Sequence, residues 1–188
     1  MKTRLALLLA SAALVAAANA ADAREILGIG TPNATQFRAK ATASDAFEVL
    51  SSRIALTHAT DPDLKEFARM MVHDHTASTN ALVAIGGISK ASLESKMKPG
   101  ADGKFAANDL IDSDHANELN SLDSKSNGDF NRTYIDDQVK GHEDAVSLLE
   151  DYAKNGDNPK LRAFAHKILP TVKMHLAKAR GLQKAIEH

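Results

Sequence analysis

"DPDLKEFARMMVHDHTASTNAL", residues Asp61–Leu82, decides the fold. Its apolar positions recur at alternating steps of four and three: Leu64, Ala68, Met71, His75, Ser78, Leu82 and, just beyond, Ile85. That is the seam of a helix packed against other helices. Asp61 is placed to cap it, and Pro62 stands at its first position, where a missing N–H is harmless. Gly86-Gly87 ends it. One seam position is a histidine, His75, where a leucine would be ordinary.

The same pattern extends in both directions. A first helix is expected over residues 35–57, with Ala43, Phe47, Leu50 and Ile54 as its stripe. A loop over 88–103 contains Pro99-Gly100, and a shorter helix is expected over 105–125 with Ile111, His115, Leu119 and Leu122 on one face. A fourth helix, 129–154, carries Ile135, Val139, His142, Val146, Leu149 and Ala153. A fifth starts at Asn158-Pro159 and carries Leu161, Ala165, Ile168, Val172, His175, Ala179, Leu182 and Ile186. Pro170 lies inside it and predicts a kink before His175. "DPDLKEFA" and "NPKLRAFA" match at Pro, Leu, the basic residue, Phe and Ala. The reading is all-α: a ferritin-like four-helix bundle of two helical hairpins, joined by a long crossover containing a shorter helix.

The N-terminus, MKTRLALLLASAALVAAANA, has Lys2 and Arg4 followed by a 14-residue apolar run and a small-x-small site at Ala18-Asn19-Ala20. This reads as a secretory signal peptide over residues 1–20, cleaved after Ala20. Residues 21–33 are expected to be a flexible segment and 34–187 a single helical domain. The expected location is exported: periplasmic, outer-membrane-associated or secreted. With 188 residues, the cut leaves 168, enough for one proper core. Without cysteine no disulfide supports it. Removing two basic residues from 23 leaves 21 against 24 acidic ones, a net charge of −3. The basic residues are scattered, there are 8 aromatics and none is Trp, so nucleic acid is not an expected partner.

Glu48 lies 14 residues before Pro62 and His75 lies 13 after it; His142 is 17 before Pro159 and His175 16 after it. Each pair shares a level in its own hairpin, roughly 20 and 25 Å from the turn. If the hairpins pack side by side, all four meet in one layer. Three imidazoles and a carboxylate suit Zn, Cu or Fe. The candidate ligands are His75, His142, His175 and Glu48, with Met71, Asp74 and Gln138 as accessory groups. Ligating nitrogens must then converge to within roughly 3–4 Å of one another. The competing reading is a set of satisfied core histidines, bonded to carbonyls or to Tyr134 and Tyr152. Glu48 falls one residue off the Phe47 stripe, beside Ser44, Ser51 and Ala55. His73 is expected in solvent, and His58, His166 and His188 at helix ends or on the surface. Asp112-x-x-His115 is a weaker ligand pair.

Di-iron carboxylate bundles need two Glu-x-x-His motifs. Glu25, Glu48, Glu66, Glu94, Glu118, Glu143 and Glu150 are followed three residues on by Gly, Ser, Arg, Met, Ser, Val and Ala. The chain also lacks a nucleophilic Cys and a phosphate loop, so an enzyme is disfavoured. Two functional readings stay open: a metal-binding bundle for sequestration or envelope stress protection, and a metal-free module that binds an envelope protein or itself.

The stretches FEVLSSRIALTHATDPDLKEFARMMVHDHTASTNAL (47–82) and FNRTYIDDQVKGHEDAVSLLEDYAKNGDNPKLRAFAHKILPTVKMHLAKA (130–179) resemble an exported bacterial family, the domain of unknown function 4142 family. The matching positions are Phe67-Ala68, Met71, Asp74, His75, Thr76, Phe130, Tyr134, His142, Leu169-Pro170 and His175, and the resemblance spans about residues 34–182. It implies a ferritin-like fold and a place in the envelope or outside the cell. It implies no biochemical role.

Overall fold

The computed structural model describes residues 30–86 and 95–186. The expected signal peptide, the segment over 21–29, part of the crossover loop (87–94) and His188 lie outside them. The helical unit begins at Asn33. Its described residues form five helices and no strand: α1 (Ala34–His58), α2 (Pro62–Ala84), α3 (Ser113–Asp123), α4 (Asn127–Asn155) and α5 (Pro159–Ile186).

Helix starts follow from local chemistry. The Asp61 carboxylate accepts from the backbone N–H of Asp63 at 2.7 Å and of Leu64 at 3.2 Å, with Pro62 next in line. Asn158 does the same for Lys160 and Leu161 at 3.0 and 3.2 Å, ahead of Pro159. Asn33 and Gln36 form a reciprocal capping box on α1. α5 runs unbroken through Pro170, which lies on the exposed face, as does His166, whose carbonyl it frees.

α1 and α2 form one antiparallel hairpin, and α4 and α5 the other. α1 packs on α4, and α2 on α5, closing a four-helix bundle with α3 laid against α1 and α4. This makes α1 the enclosed helix: every residue from Asp45 to Ser52 is buried. Its Phe47, Leu50 and Ile54 meet the crossover residues Leu110, Ile111, Leu119 and Leu122 in one cluster, and the Phe47 ring lies 5.1 Å from that of His115.

The crossover helix is shorter than the expected 105–125, running from Ser113 to Asp123. Polar side chains there capture backbone groups that a helix would need. Asn108 accepts from the N–H of Leu110 and Ile111, and Asn120 exchanges two hydrogen bonds with the backbone of Phe105. Asp112 caps α3 by accepting from the His115 N–H at 2.8 Å, so the Asp-x-x-His pair is used as a helix start. Ile111 is buried but precedes the helix. On α4 the interior face is wider than the expected seam. Phe130, Tyr134, Gln138 and Tyr152 are fully buried, while Val139 and Val146 are half-buried.

The core has two apolar clusters. One gathers Phe47, Leu50, Leu64, Phe67, Met71, Phe130 and Tyr134; the other gathers Phe37, Leu82, Leu149, Tyr152, Leu161, Phe164 and Val172. Along each of the four long helices, a buried polar stretch separates them: Asp45 and Glu48, His75, Gln138 and His142, and His175.

The far end of the second cluster is closed by Tyr152. Its ring stacks on Phe37 at 3.8 Å, and its hydroxyl donates to Asp157 at 2.7 Å. Gly156 ends α4 against that ring, and a Cβ there would stand 2.5 Å from Tyr152 Cε1 and 2.6 Å from the Tyr152 carbonyl oxygen. Neither atom is a loose side-chain end. Gly156→Ala should therefore destabilise the protein by about 1–3 kcal/mol in urea titration; a change within about 0.5 kcal/mol, usual for surface substitutions, would show that the turn yields freely.

Candidate metal centre

Three imidazoles enter the polar layer from three helices. His75 comes from α2, His142 from α4 and His175 from α5, all at most 4 % exposed. Their ring centroids form a triangle with each side 5.5 Å.

Each ring is held from behind. His75 Nδ1 donates to Asp45 Oδ1 at 2.8 Å. His142 Nδ1 donates to the Gln138 carbonyl, one turn back on its own helix, at 2.8 Å. His175 Nε2 donates to Asp74 Oδ2 at 2.9 Å. A neutral imidazole has one N–H and one lone pair. With the N–H committed outward, the lone pair falls on the other nitrogen. Those nitrogens are His75 Nε2, His142 Nε2 and His175 Nδ1, and all three are buried without a hydrogen-bond partner.

One ring nitrogen from each histidine lies within 4.8 Å of the other two. That bound is looser than the 3–4 Å of a loaded site. An equilateral triangle of that size has corners about 2.8 Å from its centre, against metal–nitrogen bonds of about 2.0–2.1 Å. Closing it takes an inward move of under about 1 Å per ring, within the reach of small χ adjustments. The donor set fits a borderline transition metal: three neutral nitrogens, with outer acceptors that fix tautomer and ring orientation.

The outer acceptors are themselves tied. Asp45 is buried, and its second oxygen accepts from the Thr79 hydroxyl at 3.2 Å. Asp74 is half-buried, and its second oxygen takes a 2.7 Å hydrogen bond from His73, whose side chain is 83 % exposed. Tyr134 and Tyr152 do not serve the histidines. Tyr134 pairs with Ser52 at 2.9 Å and Tyr152 with Asp157.

Glu48 is buried at 2 % exposure, because α1 is enclosed there and not only along its apolar stripe. Its Oε1 lies 3.5 Å from His142 Nδ1, on the outer side of that ring. The shorter contact to Gln138 takes the single N–H, so Glu48 is a neighbour of that bond and its Oε2 has no partner. Gly141 makes the room, since a Cβ there would come 3.0 Å from Glu48 Oε1. Gln138 contributes its carbonyl to His142 and its amide to Ser51 at 3.3 Å. Met71 is fully buried in the neighbouring apolar cluster.

Electrostatics separate the three rings. Burial holds His142 and His175 down to about 4, so both are neutral near pH 7. Burial also acts to lower His75, but the hydrogen bond and charge of Asp45 outweigh it, and the net direction is upward. Beside the site, a cavity of about 20 Å³ lined by Ser44, Asp45, His75 and Ser78 has room for about one water.

Asp45 is the residue that sequence reading missed. It stands three positions before Glu48, so the two carboxyls share one face of α1 with Ser52 and Ala55. Two acids at that spacing among small residues were the available signal.

Burial pushes the Glu48 carboxyl up to about 7 from an ordinary 4.5. The folded protein thus keeps a proton that the unfolded chain has lost between those values. This contribution makes stability fall as pH rises through that window, by at most about 3 kcal/mol. In metal-free protein, Glu48→Gln should raise Tm relative to the wild type more at pH 8 than at pH 5. An equal shift at both pH values would show that the buried carboxyl carries no ionisation cost.

No curated protein matches the sequence. A solved structure described as "CopM in the Cu(II)-bound form" is similar in fold, with a TM-score of 0.58 and 16 % identity over 82 % of this chain and 98 % of that one. The family model "Domain of unknown function (DUF4142)" matches residues 15–182. The chain belongs to the DUF4142 family.

Proposed function

We propose that this protein binds one transition-metal ion in the centre of its bundle, through His75 Nε2, His142 Nε2 and His175 Nδ1. The observation that carries the reading is the set of three inward nitrogens, each buried and without a partner while the opposite nitrogen is tied down. Buried polar atoms are almost always satisfied, so three orphans converging on one point are best accounted for by a shared guest. CopM, the structural neighbour, is named for a Cu(II)-bound form; this supports a metal as that guest and copper among the metals to try first. Zn and Fe fit the same donors.

The role that fits is sequestration of the ion in the envelope or outside the cell. The signal-like start of the chain supports export, and no described helix is long and apolar enough to cross a membrane. A site buried among four helices suits holding an ion. A metal-free interaction module leaves the three inner nitrogens without a purpose.

Protein purified from its native host without an affinity tag should carry close to one equivalent of metal. Stripped protein should gain thermal stability on adding Zn, Cu or Fe, by about 2.7 kcal/mol at a hundredfold excess over Kd. His75→Ala, His142→Ala and His175→Ala should each abolish the gain while far-UV circular dichroism stays helical. Well under one equivalent, with no stabilisation by any of the three metals, would remove this reading.

A further inference from the structure

Two of the three acceptors behind the histidines are carboxylates, and among the described residues no buried Lys or Arg balances them. Asp45 is buried and pairs with His75; Asp74 is half-buried and pairs with His175. The third acceptor, the Gln138 carbonyl, is neutral. The buried polar residues among those described include Asp45, Glu48 and the three histidines but no Lys or Arg. The ion pairs of the layer contain no permanent cation either. On the α2–α5 seam, Lys178 bonds Met70 Sδ at 3.6 Å, one turn before Asp74.

We propose that Asp45 and Asp74 make the centre selective for a divalent ion over a monovalent one, so that the guest is M²⁺ and not Cu⁺. This rests on the three-histidine site described above. With M²⁺ between three neutral imidazoles, and with the Glu48 carboxyl neutral below about pH 7, the Asp45 and Asp74 carboxylates bring the buried charge to zero. With Cu⁺ the same two carboxylates supply only about half of that attraction, and one negative charge stays uncompensated inside the protein. The ligand chemistry points the same way. All three inward donors are imidazole nitrogens, whereas thiolate and thioether sulfur are what favour Cu⁺. The half-exposed Asp74, bridged to the exposed His73, leaves one of the two charges partly hydrated. Asp45, fully enclosed, should therefore contribute more of the discrimination.

Asparagine separates charge from geometry here, because its amide oxygen still accepts from an imidazole N–H. The test measures affinity for Zn²⁺ and, anaerobically against a chromophoric chelator, for Cu⁺, in the wild type, Asp45→Asn, Asp74→Asn and the double variant. Zn²⁺ affinity should fall at least about 10-fold for Asp45→Asn, less for Asp74→Asn, and up to about 100-fold in the double variant. Cu⁺ affinity should fall by a much smaller factor, about the square root of the Zn²⁺ loss. Equal losses for both ions would overturn the proposal, because the carboxylates would then act only by orienting the rings. Asp74→Asn alone keeps the test decisive if Asp45→Asn does not fold, since Asp74 lies at the half-exposed edge of the layer. A wild-type protein that binds neither ion would instead defeat the three-histidine site itself, and the charge selection with it.

Discussion

A neutral imidazole has a single N–H, and where that hydrogen is spent decides where the lone pair points. In this bundle the hydrogen is spent outward three times: on Asp45, on the Gln138 carbonyl and on Asp74. The proposed metal site depends on that constraint. Rotate any one acceptor away, and its ring is free to flip its tautomer or bond the interior to itself. The acceptors come from three helices, α1, α2 and α4, so the histidine layer is also a statement about how the hairpins sit together.

The two apolar clusters above and below the layer give the constraint its strength. They keep bulk water from the inner nitrogens, and a lone pair that water does not reach is available to an ion. They also raise the cost of any unbalanced charge, which is why the environment of Glu48 matters. That carboxyl is shifted toward its neutral form by burial, in a pocket that Gly141 keeps open. A glycine in the middle of a helix costs about 1 kcal/mol relative to alanine; here the missing side chain is the space the carboxyl occupies.

Much of this was legible in the residues. The four-three seams of α2 and α5 marked their buried positions, and Asp61-Pro62 and Asn158-Pro159 marked their starts, because capping and periodicity are local properties. Counting from the two turns put His75, His142 and His175 at related heights, since helical rise is fixed. What was not legible depended on enclosure. The Phe47 stripe of α1 faces the crossover, and only the crossover's position reveals that the opposite face, with Asp45 and Glu48, is interior as well. The short α3 was hidden for a different reason. Its apolar period continues upstream, but Asn108, Asp112 and Asn120 bond to the backbone and stop the helix, and such competition has no periodic signature. Asp112-x-x-His115 looked like a ligand pair for the same reason that it is a good cap.

X-ray absorption at the zinc edge, on protein loaded with one equivalent, reads the centre most directly. Three imidazole nitrogens bound at about 2.0–2.1 Å should give a nitrogen shell with the outer-ring scattering that imidazoles produce. A shell lacking imidazole scattering, or one containing thioether sulfur, would contradict a centre built by His75, His142 and His175.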